Sequence, residues 1–295
     1  MKQLNHIRSG AIIAALVLST FSCKKDSSSG SSTTDDQTTV TLATGATGAE
    51  SLYDDTFDVV TQSGAQSGVN GTALAVNPVN VKAVNRSLDA FQAVACAQIT
   101  LSPADSTSFP KTMTIDYGTG CTSSNGITRV GKLSVTLTGK LRNPGSVISV
   151  TFDNYSVNGY QLQGTYSMTP VAGADSGINF NISVSNATIT TPSNAVYTYS
   201  GSETFTQVAG IGTTTVTDDT YNITGNLSYS GGGLTVSGTI VNPLVRSADC
   251  PNITSGTIDY VYKNIKGVLD FGSGTCDNVA TMTAGPITNT ITLPR

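Results

Sequence analysis

From Cys96 to the end of the chain, apolar and polar residues alternate with a period of two. Between Lys132 and Arg142, Leu133, Val135, Leu137 and Leu141 fall on one face. Lys132, Ser134, Thr136, Thr138, Lys140 and Arg142 fall on the other. This is the signature of a strand with one buried and one wet face, and it makes Lys132, Lys140 and Arg142 a small basic row in solvent. The same alternation runs through Ile148, Val150 and Phe152, through Phe180, Ile182 and Val184, and through Leu234, Val236 and Ile240. Turn chemistry punctuates these runs at Asn143-Pro144-Gly145, Asn158-Gly159, Gly231-Gly232-Gly233, Asn242-Pro243, Lys263-Asn264 and Gly285-Pro286. Connections this short force antiparallel neighbours. Residues 96–295 are therefore expected to be all-β, a large antiparallel meander of about a dozen strands. Such a sheet curls into a barrel-like form or folds over as a sandwich.

Upstream the pattern changes. Residues 49–95 read as a small helical or irregular segment. Leu52, Thr56, Val59 and Val60 share one helical face, as do Tyr53, Phe57 and Val60, with Asp54 and Asp55 placed for the positive end of a helix dipole. Val84, Leu88, Phe91 and Ala95 repeat at helical spacing in a second stretch. Residues 24–48 are almost all Ser, Thr, Gly and Asp. That composition reads as a disordered tether because it offers little apolar surface to bury.

The first 22 residues read as a signal peptide: Lys2 and Arg8 supply basic charge, and the apolar run Ala11–Ser19 is too short to span a bilayer. Ser22 precedes Cys23, so cleavage there exposes a cysteine ready for lipidation. The mature chain is then tethered to a membrane from residue 23 through residue 48.

Composition narrows the chemistry. The 295 residues carry 15 Lys and Arg against 19 Asp and Glu, a net charge of −4, which speaks against nucleic acid as a partner. His6 is the only histidine and lies inside the leader, and Glu50 and Glu203 are the only glutamates. A Ser-His-Asp or Cys-His mechanism and His-ligated metal sites therefore drop out. No cofactor or metal is called for by any motif.

Two phrases repeat: "TIDYGTGC" from Thr114 to Cys121 and "VLDFGSGTC" from Val268 to Cys276. In each, an Asp (Asp116, Asp270) ends a strand, and two glycines (Gly118 and Gly120; Gly272 and Gly274) supply the positive φ of a tight turn. After Cys23, four cysteines remain, an even number in an exported chain, and three pairings are open to them. The repeat selects Cys96–Cys121 and Cys250–Cys276, each closing one hairpin. Asp116 and Asp270 also admit a catalytic reading, since the doubled Asp-x-Gly resembles the two-lobed plan of pepsin-like aspartic proteases. Tyr117 and Phe271 stand where that family has Thr or Ser, so the turn reading is favoured. Asp270 and Asp277, and the pair Asp218-Asp219, offer oxygens to calcium but read as solvated charge. Tyr197 with Tyr199, and Tyr260 with Tyr262, share faces and admit stacking on sugars, although core packing is favoured.

The block "FPKTMTIDYGTGCTSSNGITRVGKLSVTLTG", the following "PGSVISVTFDNYSVNG", and "CKKD" after the leader together resemble a group of secreted lipoproteins of the Bacteroidota. The resemblance covers about residues 96–170 and 250–295 and implies an exported, lipid-anchored β protein; it brings no activity with it. The leading expectation is a non-enzymatic outer-membrane or cell-surface protein that binds or scaffolds an extracellular glycan or protein. A carrier of lipid or another apolar ligand is the alternative, and a hydrolase using Asp116 and Asp270 ranks third.

Overall fold

The computed structural model describes residues 30–71, 92–213 and 215–295. The leader, Cys23 and the stretch holding Val84, Leu88 and Phe91 lie outside them. Among the described residues, fourteen strands follow one α-helix. They are β1 (Gln98–Ser102), β2 (Lys111–Asp116), β3 (Cys121–Thr122), β4 (Thr128–Leu137), β5 (Ile148–Val157), β6 (Tyr160–Ala172) and β7 (Ile178–Thr190). The second half comprises β8 (Val196–Ala209), β9 (Thr220–Gly231), β10 (Leu234–Ser247), β11 (Ser255–Tyr262), β12 (Ile265–Ser273), β13 (Val279–Ala284) and β14 (Ile287–Thr292). All belong to one antiparallel sheet in chain order, except that the short β3 pairs only with β4 and β2 pairs directly with β4. β1 and β14 do not pair, so the sheet stays open while it curls.

The turns follow their residues. Val157 pairs with Tyr160 across Asn158 and Gly159, both at positive φ, the geometry of a two-residue hairpin. Asn242-Pro243 departs from expectation. It makes no turn, and β10 runs straight through it with a register shift on either side. Proline cannot donate to a ladder, and a bulge is where a strand tolerates it.

The helix is the main correction to the expected layout. α1 spans Gly30–Gln66, so the segment expected to be a disordered tether up to residue 48 is helical from Gly30 onward. Val40, Ala43, Ala46, Ala49, Leu52, Tyr53, Phe57, Val59 and Val60 are all buried, as are Thr39, Thr47, Glu50, Asp54, Asp55 and Thr56. A helix buried on every side sits inside a core, and here the curled sheet supplies that core. Thr hydroxyls that would otherwise be orphaned donate to their own helix four residues back. Thr39 bonds Asp35 O, Thr44 bonds Val40 O, Thr47 bonds Ala43 O and Thr61 bonds Phe57 O. Small residues let the sheet approach: a Cβ on Gly64 would lie 1.8 Å from Leu141 Cδ1, and one on Gly45 would lie 2.6 Å from the Tyr229 hydroxyl. Asp54 and Asp55 consequently lie mid-helix rather than at its positive end.

The inward parity of the strands closes on this helix. Phe57 meets Phe180, Phe205 and Tyr221 at centroid distances of 5.3, 4.9 and 5.4 Å. Tyr53 stacks on Tyr199 at 5.3 Å and donates its hydroxyl to Gln163 O at 2.7 Å. The basic row expected along residues 132–142 does not form. β4 ends at Leu137, and Arg142 turns inward to an ion pair with Asp219 at 2.6 Å. Asp219, expected in solvent, is buried there with Gln207 and Tyr221 as further partners.

Candidate functional site

The doubled motif forms two stapled hairpins. Cys96 is bonded to Cys121 and Cys250 to Cys276, with Cα separations of 6.1 and 5.8 Å. β1 returns along β2 with Gln98 opposite Asp116, and β11 returns along β12 with Thr257 opposite Asp270. Asp116 accepts the Gly118 amide and Asp270 the Gly272 amide, each at 2.8 Å. Gly118, Gly120, Gly272 and Gly274 all take positive φ. Asp116 also pairs with Lys132 at 3.0 Å. The Gly118 amide and Lys132 together hold the Asp116 carboxyl below the usual carboxylate range. The two aspartates therefore belong to separate turns on strands that do not pair with each other, each with its own amide. Asp277 accepts the Val279 amide. Among the described residues, no group of three or more His, Cys, Asp or Glu is arranged to hold a metal ion.

The most concentrated chemistry lies where α1 meets the inner wall. Asp55 takes two hydrogen bonds from Arg129, Nε at 2.8 Å and Nη2 at 2.5 Å, with Arg295 Nη1 at 3.3 Å and the Tyr155 hydroxyl at 3.3 Å. Burial pushes the Asp55 carboxyl up, but Arg129 and Arg295 outweigh burial and hold it below its ordinary value. Arg246 pairs with Asp58 and stands 3.4 Å from Asp54. Burial, countered only in part by Arg246 and Arg295, raises the Asp54 carboxyl. Glu50 and Glu203 are buried beside Asp54 without an arginine of their own. Burial, followed by the neighbouring carboxylates, raises both, Glu203 to about 8. Five carboxyls (Glu50, Asp54, Asp55, Asp58, Glu203) thus face three guanidiniums (Arg129, Arg246, Arg295). In the two without a paired guanidinium, Glu50 and Glu203, burial favours the neutral carboxyl.

None of these network residues was singled out as functional by the strand pattern, yet a trace is present. Arg129, Glu203 and Arg246 fall on the inward parity of β4, β8 and β10, where the neighbours are Leu133, Phe205 and Leu244. A charged residue at such a position marks a buried polar contact.

An open groove lies where α1 meets the ends of β6 to β9 and β14. Its volume is about 360 Å³, and its walls include Leu42, Gly45, Leu52, Tyr160, Ile189, Tyr197, Tyr229 and Pro294, with threonine hydroxyls at 41, 44, 191 and 292. Tyr197 stacks on Tyr229 at 5.2 Å. Among the described residues, no Asp, Glu, Lys or Arg lines it. Of the tyrosines weighed for sugar stacking, Tyr199, Tyr260 and Tyr262 are buried core residues, and Tyr197 reaches the groove. Among the described residues, two smaller chambers beside α1 have volumes of about 10 and 20 Å³. Among the described residues, no helix is long and apolar enough to cross a membrane.

Comparison with protein families, with curated proteins and with solved structures finds no match to this chain.

Proposed function

We propose that this protein is a non-enzymatic, exported binding protein, anchored through a lipid on Cys23 at the outer membrane or cell surface. Its site is the tyrosine-lined groove, and its ligand is a neutral glycan. The observation that carries the reading is the groove's uncharged wall: aromatic rings with threonine hydroxyls between them. Pyranose rings have an apolar face for stacking and a hydroxyl rim for threonine and tyrosine partners. A volume of about 360 Å³ lies at the small end of ligand sites, suited to one or two sugar units. The leader-like N-terminus, Ser22-Cys23 and the paired cysteines support export into an oxidising compartment. An acyl chain held inside the sheet is disfavoured, because α1 occupies the space such a carrier reserves for its ligand.

The test is titration of the full chain with a panel of neutral, acidic and basic oligosaccharides, read by calorimetry. Neutral sugars are expected to bind and Tyr197→Ala to weaken them at least tenfold. Binding confined to charged glycans, or untouched by Tyr197→Ala, overturns the site. Mass spectrometry of the mature N-terminus tests the anchor separately; an unmodified residue 23 removes it.

A further inference from the structure

The smaller chamber beside α1 is walled by Glu50, Ser51 and Asp54 on the helix, by Asn252 and Phe271 on the β side, and by Arg295 at the chain end. Its walls concentrate polar atoms without hydrogen-bond partners among the described residues: Glu50 Oε2, Ser51 Oγ, Asn252 Oδ1 and Arg295 Nε, all buried. Asp54 Oδ2 also makes no hydrogen bond and has only its 3.4 Å contact with Arg246. Each buried polar atom left in this state costs about 1–3 kcal/mol. Several such atoms gathered around one chamber point to a common partner, which a single water can supply to at most four of them.

We propose that this chamber binds one water molecule as a fixed part of the fold, joining α1 to the loop after β10 and to Arg295. Size and chemistry both select it. A chamber of about 10 Å³ gives room for about one water centre. Arg295 Nε–H can only donate, Asn252 Oδ1 and the Asp54 carboxylate only accept, and Ser51 does both. Water accepts from the guanidinium and donates to the two acceptors at once. A metal cation would share the chamber with the Arg295 guanidinium, and an anion would share it with Asp54. The site therefore excludes ions of either sign, and buried waters with about three such partners are long-lived components of folded proteins. Its consequence lies in assembly: the water ties α1 to Asn252 after β10 and to Arg295, residues about two hundred positions or more further along the chain.

Two measurements on the full chain test this. A high-resolution crystal structure is expected to show one ordered peak within about 2.7–3.2 Å of at least three of the five atoms. Oxygen-17 relaxation dispersion in solution is expected to count one long-lived water fewer in Asn252→Leu, and no fewer in the outward-facing control Thr112→Val. An unfilled chamber, a peak with the short contacts of a metal ion, or an unchanged water count in folded Asn252→Leu overturns the proposal. If Asn252→Leu fails to fold, the wild-type crystal decides.

Discussion

Asp55 and Arg129, 74 positions apart, meet in a two-pronged ion pair buried between the helix and β4. Removing one member strands the other charge in the core, a loss of about 3–5 kcal/mol, whereas replacing both with apolar residues of similar volume is far milder. Asp55→Leu and Arg129→Met are therefore each expected to lower unfolding free energy by that amount in urea, and the double variant to recover much of it. Equal losses in single and double variants would show that the pair is not coupled. Arg295 also touches Asp55, so recovery is expected to be partial.

Gly64 gives a test of the close approach between helix and sheet. In an exposed helix, Gly→Ala stabilises by up to about 1 kcal/mol. At Gly64 the added methyl would strike Leu141 Cδ1, and overpacking of a filled core costs about 1–3 kcal/mol. Gly64→Ala is expected to destabilise despite its better propensity, and Leu141→Ala in the same chain to reverse part of the loss. A stabilised Gly64→Ala would mean that α1 does not pack here as described.

The strands were legible because their period of two and their turn residues are local properties. Asn158-Gly159 writes its own hairpin, and the spacing of Cys96, Cys121, Cys250 and Cys276 around two copies of one phrase writes two staples. α1 was not legible over residues 30–48, because its sequence has little helical drive of its own. Its threonines satisfy themselves by bonding back along the helix, and its Gly and Ala residues matter only for the wall they approach. Such a helix owes its stability to tertiary packing, which no local window contains. The buried network was half legible. Glu203 and Arg246 break the apolar parity of their strands, but their partners on α1 are set by the docking of the helix.

The two staples should differ little in effect. Each closes a loop of similar length, separations of 25 and 26 residues, for which chain entropy gives about 3–4 kcal/mol. Cys250→Ala with Cys276→Ala is expected to lower stability by that amount under oxidising conditions. Dithiothreitol should then lower the remaining stability by a similar step as Cys96–Cys121 opens. Insensitivity of the wild type to reductant, with Cys96, Cys121, Cys250 and Cys276 all alkylated, would refute a stabilising role.

The carboxyls without an arginine set how stability depends on pH. Glu203, on β8, is faced by Glu50 and Asp54 from α1, by Arg246 from β10, by Tyr166 from β6 and by Tyr260 from β11. Burial and the Asp54 charge raise it from 4.5 to about 8, and burial raises Glu50 in the same direction. Below the ordinary carboxylate value both states of the chain are protonated, and the burial of Glu203 costs nothing. As pH rises, the unfolded chain loses its proton first, so stability declines until the folded carboxyl ionises near pH 8. Asp55 acts in the opposite sense. Arg129 holds it low, so its contribution is present above the usual carboxylate range and lost as pH falls through its depressed value. Stability is therefore expected to peak in mild acid and to fall from about pH 5 to about pH 8, a window in which the chain has no histidine beyond His6 to confuse the reading. Glu203→Gln should flatten that fall, raising the urea midpoint at pH 9 and leaving it nearly unchanged at pH 5. A wild-type midpoint that stays level between pH 5 and 8 would show that Glu203 does not keep its proton in the folded protein.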